Sequence, residues 1–263
     1  ETGGIMEISF YSLGIKQGIS TGYYENGNVL YKLQFINNNQ SGICELYYPS
    51  GILKERARKL NGEYDGEFES FYEEGQLYKT CGYVKGKLNG SLTGYNKLGS
   101  IILKSFYKDG EINGEWEEYF NNELKEFKGL DQVFQKGVFH EGKKNGNWTV
   151  FYPSGKIYIK GRYNMGIYDG EWVVLYENDS IKQRGSYLEG RAYGHWQFFN
   201  PDATTLKEGS FAEDKENGVW KYYYDTGKLK VIANYNKGIL DGTQQSFDLE
   251  GKLQETQIFE NGV

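Results

Sequence analysis

The chain has 263 residues and a formal charge of −6, with 30 Lys and Arg against 36 Asp and Glu. Its cations are scattered singly and form no basic stripe, which excludes nucleic acid as an expected partner. No stretch of about 18 apolar residues occurs, so no transmembrane helix is expected. Aromatic residues make up 17%, with 36 Gly and only 3 Pro, a mixture that suits short strands joined by glycine turns better than helices or disorder.

Glu1-Thr2-Gly3 is similar to the scar of a vector that exports its product through a eukaryotic secretory pathway, and is set aside. It favours an extracellular or cell-surface location, with the cytoplasm as the alternative. Residues 4–17 read as a partial repeat or cap, because Tyr11 and Gly14 fall in the columns of Tyr163 and Gly166. More repeats are therefore expected upstream.

From residue 18 the chain is periodic. A glycine recurs at 18, 42, 66, 90 and 114, then at 146, 170, 194, 218 and 242, so every step is 24 residues except one of 32. Residues 18–263 thus hold ten repeats, with eight extra residues in the fifth. The residue before this register glycine is usually Asn or Asp, as in Asp65, Asn145 and Asn217, which reads as a turn opening each repeat.

Five residues further on comes a large apolar side chain, from Tyr23 and Tyr47 to Tyr223 and Phe247. A second glycine follows at 27, 51, 75, 99, 155, 227 and 251. Gly155 and Gly227 are typical of it and are expected to hold the left-handed position of a short hairpin loop. An aliphatic residue such as Leu53 or Ile157 opens the second strand, and an aromatic such as Tyr83 or Tyr163 closes it. A third glycine, as at 62, 86 and 110, is expected to begin a wider connection to the next repeat.

Two further columns supply packing logic. All five tryptophans, Trp116, Trp148, Trp172, Trp196 and Trp220, stand two residues after the register glycine, and fifteen after it stands a small residue such as Ala57, Cys81, Gly161 or Gly209. A large ring is expected to lie over each small residue. The predicted fold class is all-β: an elongated single-sheet array of about ten antiparallel β-hairpins, twisted or curled. Twenty strands at about 4.8 Å spacing would extend about 95 Å.

Read as [Asn/Asp]-Gly-x-Trp-x-x-[Tyr/Phe]-Tyr-x-x-Gly-x-[Leu/Ile], best in Gly146 to Ile157 and Gly218 to Leu229, these columns resemble the MORN repeat in its bacterial 24-residue variant, the YwqK-type antitoxin family. The resemblance implies a MORN-like solenoid. Such arrays serve as protein-binding scaffolds, as phospholipid-contact modules and as appendages to enzymes, and the family supplies no catalytic residues. Departures fall at Glu123, Asp179 and Ala203, which lack the hairpin glycine, and at Ser20 and Gln244, which lack the large ring.

Chemistry offers little competition to packing. His140 and His195, the only histidines, are placed about 20 Å apart by the expected strand spacing. No triad, metal or phosphate-loop pattern is present. No enzyme activity and no cofactor or metal is expected. Cys44 and Cys81 occupy packing columns three strands apart and are expected to be free thiols. Asn39, Asn89, Asn147 and Asn178 head Asn-x-Ser/Thr patterns.

Binding is sought where the repeat breaks. The fifth-repeat excess, Lys125 to Lys136, offers Phe127, Leu130, Asp131, Val133 and Phe134, either as a recognition loop or as a lengthened hairpin covering its own apolar residues. A second irregular stretch offers Arg191 and Tyr193. The expected partner is another protein, with a host surface receptor in view and the chain a secreted or surface-exposed bacterial monomer. The alternatives are an intracellular antitoxin or immunity protein, or a lipid- or glycan-binding module.

Overall fold

A computed structural model describes residues 6–121 and 132–263. Among the described residues there is no helix, so none is long and apolar enough to cross a membrane. The fold is an open antiparallel meander of hairpins, as the periodicity predicts. It divides into two compact bodies. The first is Glu1–Val133 with Phe139–Gly142, and the second is Phe134–Val138 with Lys143–Val263.

The Gly42 repeat shows the plan of the first body. Strand Asn39–Tyr47 pairs with Leu53–Leu60, which pairs in turn with Glu63–Phe71 of the next repeat. In the second body, Lys143–Phe151, Ile157–Asn164 and Ile167–Leu175 repeat it.

The connections reverse the expected widths. The third glycine lies in a two-residue turn, with φ of 51° at Asn61 and 88° at Gly62. Two successive left-handed residues make the turn type whose twist matches that of the flanking strands. The wider loop is the one at the second glycine. There Gly51 N–H donates to Tyr48 O and Tyr48 N–H to Ile52 O, each at 2.8 Å, and Gly51 has φ of 87°. Gly155 and Gly227 hold the same left-handed position, as expected.

Asp179 and Ala203 take that position without a glycine, both at φ of 68°. Local side chains offset the strain, with Asn178 Oδ1 accepting from Ser180 N–H at 3.1 Å and Asp202 Oδ1 accepting from Thr204 N–H at 3.0 Å. Glu123 lies outside the described residues.

The register glycine is not a turn. Lys160 pairs with Val173 and Arg162 with Asp169, so residues 170–172 face the single residue Gly161 across the ladder. This is a bulge of two extra residues inside a strand. The Asn or Asp before it acts at a distance: Asn145 Oδ1 accepts from Met165 N–H at 3.2 Å and Asn217 Oδ1 from Lys237 N–H at 3.4 Å. Ser41 does the same for Asn61 at 2.9 Å. The side chain thus secures the tight turn that ends its own repeat.

Successive repeats are also clamped by tyrosine. The hydroxyl of Tyr48 donates to the carbonyl of Phe71 at 2.8 Å and that of Tyr72 to Tyr95 at 2.9 Å, while in the second body Tyr152 reaches Leu175 and Tyr224 reaches Phe247, both at 2.8 Å. The N-terminal segment adds a short strand, Glu7–Ile8, beside Gly18–Tyr23, and a small hairpin around Leu13 and Gly14.

Candidate binding surface

Strand geometry sends successive side chains to opposite faces, and the repeat uses its two faces differently. In the second body one face is filled by tryptophan. A Cβ built on Gly137, Gly161, Gly185 or Gly209 would overlap the indole of Trp148, Trp172, Trp196 or Trp220 respectively, so each ring lies over the glycine of the preceding repeat. Trp220 is 0% exposed, and its Nε1–H donates to Ser210 O at 3.0 Å. Tyr163, Tyr187 and Phe211 meet Trp172, Trp196 and Trp220 edge-on, at centroid distances of 5.3, 5.2 and 5.0 Å.

The first body reaches the same complementarity with other pairs, and only one of them uses tryptophan. Leu33 faces Cys44, Ala57 faces Phe68, Cys81 faces Leu92 and Ser105 faces Trp116. Cys44 and Cys81 are free and buried, and burial pushes both thiols up from their ordinary pKa.

The opposite face carries charge. In the first body Lys32, Glu45, Arg56 and Glu69 stand side by side on adjacent strands, cation opposite acid. Arg56 Nε is 3.2 Å from Glu45 and its Nη1 3.6 Å from Glu69. Tyr47 donates to Glu45 at 2.6 Å. That bond, with Arg56 adding to it, holds the Glu45 carboxyl below its usual range, and burial together with the same bond pushes Tyr47 up to about 12.

In the second body the ladder changes phase at an amide. Gln197 accepts from Arg184 Nε at 2.8 Å and donates to Glu208 at 3.0 Å. Glu208 also accepts from Tyr223 at 2.7 Å, faces Lys221, and lies 3.5 Å from His195 Nε2. Tyr223 and Gln197 hold its carboxyl low, and burial with the Glu208 bond pushes Tyr223 up to about 12.

Beside the tight turns this charged face becomes apolar. In the first body Ile36, Ile43, Leu60 and Val84 are 44–52% exposed. A groove of about 470 Å³ runs among Ile36, Leu60, Val84, Arg58 and the bulge glycines Gly42 and Gly66.

Of the residues singled out by broken periodicity, Phe127, Leu130 and Asp131 lie outside the described residues. Val133 and Phe134 open strand Val133–His140 and are half-buried there. Arg191 and Tyr193 lie on strand Arg191–Phe199, paired with Leu188 and Ser186 across the ladder. Tyr193 is exposed, and Arg191 Nη1 sits 3.4 Å from Glu213. The charged ladder and the apolar row escaped the sequence reading, although their columns, one, three, fourteen and eighteen residues after the register glycine, were available to it. Among the described residues no group of His, Cys, Asp and Glu could hold a metal ion.

Hairpin repeats with these columns define an open β-repeat scaffold. Five segments, residues 16–37, 64–85, 144–165, 216–237 and 240–261, match the MORN repeat variant, so the chain carries repeats of that kind. No curated protein matches the chain.

Among solved structures, a mutant of the TCP10 domain of Danio rerio CPAP is 14% identical over 91% of this chain and 99% of its own, with a TM-score of 0.33. A TcdB2–TccC3–Cdc42 structure is 10% identical over 91% of this chain and 15% of its own, with a TM-score of 0.20. A Photorhabdus luminescens Tc holotoxin pore is 11% identical over 95% of this chain, which spans 16% of its length, with a TM-score of 0.18.

Proposed function

We propose that the chain is a non-catalytic scaffold that binds another protein, acting outside the cell or at its surface, with a host receptor as the partner class. The observation that carries this reading is the row Ile36, Leu60 and Val84, apolar side chains held about half-exposed around a groove on an otherwise charged face. Exposed apolar groups gathered this way are a feature of interaction sites. The ion pairs of the ladder beside them are already satisfied internally, which leaves the apolar row as the part of that face with most to gain from a partner.

Capture of cell-surface proteins on the immobilised chain, compared with the Leu60→Glu/Val84→Glu double variant, tests this directly. Specific capture lost in the double variant supports the assignment. Capture that survives it removes the row from the site, and absence of any captured surface protein counts against the scaffold reading itself. An intracellular immunity role is the second reading, suggested by the family resemblance.

A further inference from the structure

On the charged face of the second body, one depression differs from the ladder around it. It has a volume of about 450 Å³, a floor at Gly161, and walls that include Lys160, Arg162, Asn147, Thr149 and Glu171. Thr149 faces Lys160 and Asn147 faces Arg162 across one strand pair, and Val173 faces Lys160 across the other.

The corresponding cation of the first body, Arg56, is held between Glu45 and Glu69. Lys160 has Thr149 and Val173 in those two places. Among the described residues the one ion pair of Arg162 is with Asp169, whose carboxylate is 3.7 Å from Nε, and the Arg162 side chain is 62% exposed. Two cations, an amide, a hydroxyl and a carboxylate thus line one hollow, and among the described residues no ion pair joins either cation to Glu171.

The geometry points to a binding site for an acidic sugar, a ring that carries a carboxylate together with hydroxyl groups. Lys160 and the Arg162 guanidinium would take the carboxylate, the latter through its paired N–H donors. A bare oxyanion satisfies only that half of the site. Glu171 is an acceptor beside the cations, and it favours a ligand that also brings hydroxyl donors, for which Asn147 and Thr149 supply further partners. An acidic peptide side chain offers the carboxylate without the hydroxyls. Asn147-Trp148-Thr149 is itself an Asn-x-Ser/Thr pattern, so a glycan on Asn147 would fill the hollow, and the protein used must be made without N-glycosylation.

The test is a titration of the full chain with glucuronate, glucose, inorganic sulfate and a blocked Glu-Glu dipeptide. It is followed by NMR at the Arg162 side-chain and Asn147 side-chain amide N–H signals, with the Trp220 indole as a fold control. Glucuronate should shift the first two saturably, with Kd on the order of 1–10 mM, while glucose, sulfate and the dipeptide shift them at least fivefold less. Lys160→Ala/Arg162→Ala should abolish the shift, and Glu171→Gln should weaken it several-fold, with the Trp220 signal unchanged in both. Equal response to sulfate would reduce the site to a plain oxyanion hollow, and equal response to the dipeptide would make it a peptide contact. No response to glucuronate, or full affinity in Glu171→Gln, overturns the assignment.

Discussion

The two bodies solve one packing problem with different residues. The second lays Trp148, Trp172, Trp196 and Trp220 over glycines, whereas the first pairs Ala57 with Phe68 and Cys81 with Leu92. What the repeat preserves is the summed volume of a facing pair, since interiors are close-packed and a site tolerates exchange when total volume is kept. The tyrosine clamps and tight turns, by contrast, hardly vary between the bodies, because each serves a backbone group whose position the period dictates.

The difference is tested most severely by truncating the large partner. Trp220→Ala should cost about 4 kcal/mol and Phe68→Ala about 3 kcal/mol, read from urea unfolding. The thiols separate the bodies in that experiment, because Cys44 and Cys81 both lie in the first. Phe68→Ala should make Cys81 reactive toward a thiol reagent at lower urea than in the parent, whereas Trp220→Ala should leave both thiols protected until the first body itself unfolds.

Enlarging the small partner sharpens the contrast further. Gly209→Ala places a methyl against the Trp220 ring and should cost about 1–3 kcal/mol through overpacking. At Ala57 the methyl is already present and buried, and Ala57→Gly should cost about 1 kcal/mol through lost packing and added chain entropy. Equal and negligible effects at both positions would show that the pairs are not matched in volume.

Where the bodies are alike, the effects should be alike. Tyr48→Phe and Tyr152→Phe each remove one bond to a carbonyl of the next repeat and should each cost about 1 kcal/mol. A clear inequality in urea midpoints between the two would mean that the clamps are not equivalent.

The smallest effects concern pH. Tyr47 in the first body and Tyr223 in the second are both raised to about 12 from an ordinary 10. A raised acid favours the protonated folded form, so this stability is fully present below pH 10 and is lost as pH rises from 10 through 12. Glu45 and Glu208 run the other way. Their lowered pKa contributes stability above about 4.5 that is lost as pH falls through the folded value. Ultraviolet titration of Tyr47→Phe and Tyr223→Phe should each remove one late-ionising tyrosine.

Much of this was legible in the 24-residue period. A period that places Gly, Trp, aromatic and small residues at constant spacing leaves hairpins as its reading, and the left-handed glycines and the ring-over-glycine contacts follow from it. The roles of the register glycine and of the Asn or Asp before it were not legible. Asn-Gly is a turn signal locally, yet Asn145 secures a backbone N–H twenty residues away at Met165. This bulge and the tight turn both hold a glycine at positive φ, as at Gly170 and Gly62, and only the pairing across the ladder tells them apart.

Candidate binding residues divide in the same manner. Broken periodicity marked Arg191 and Tyr193, which are exposed, but could not mark the groove among Ile36, Leu60 and Val84, because those residues obey the repeat. The sequence by itself determined the hairpin, its length and the volume matching of its facing columns, since these depend on spacing and side-chain size. Only the tertiary structure decided which columns share a face, which charges cancel across strands, and where a cation such as Lys160 is left with Thr149 and Val173. Those outcomes depend on the register between strands, and a bulge of two extra residues at the register glycine shifts that register, as at Gly66, Gly170 and Gly218.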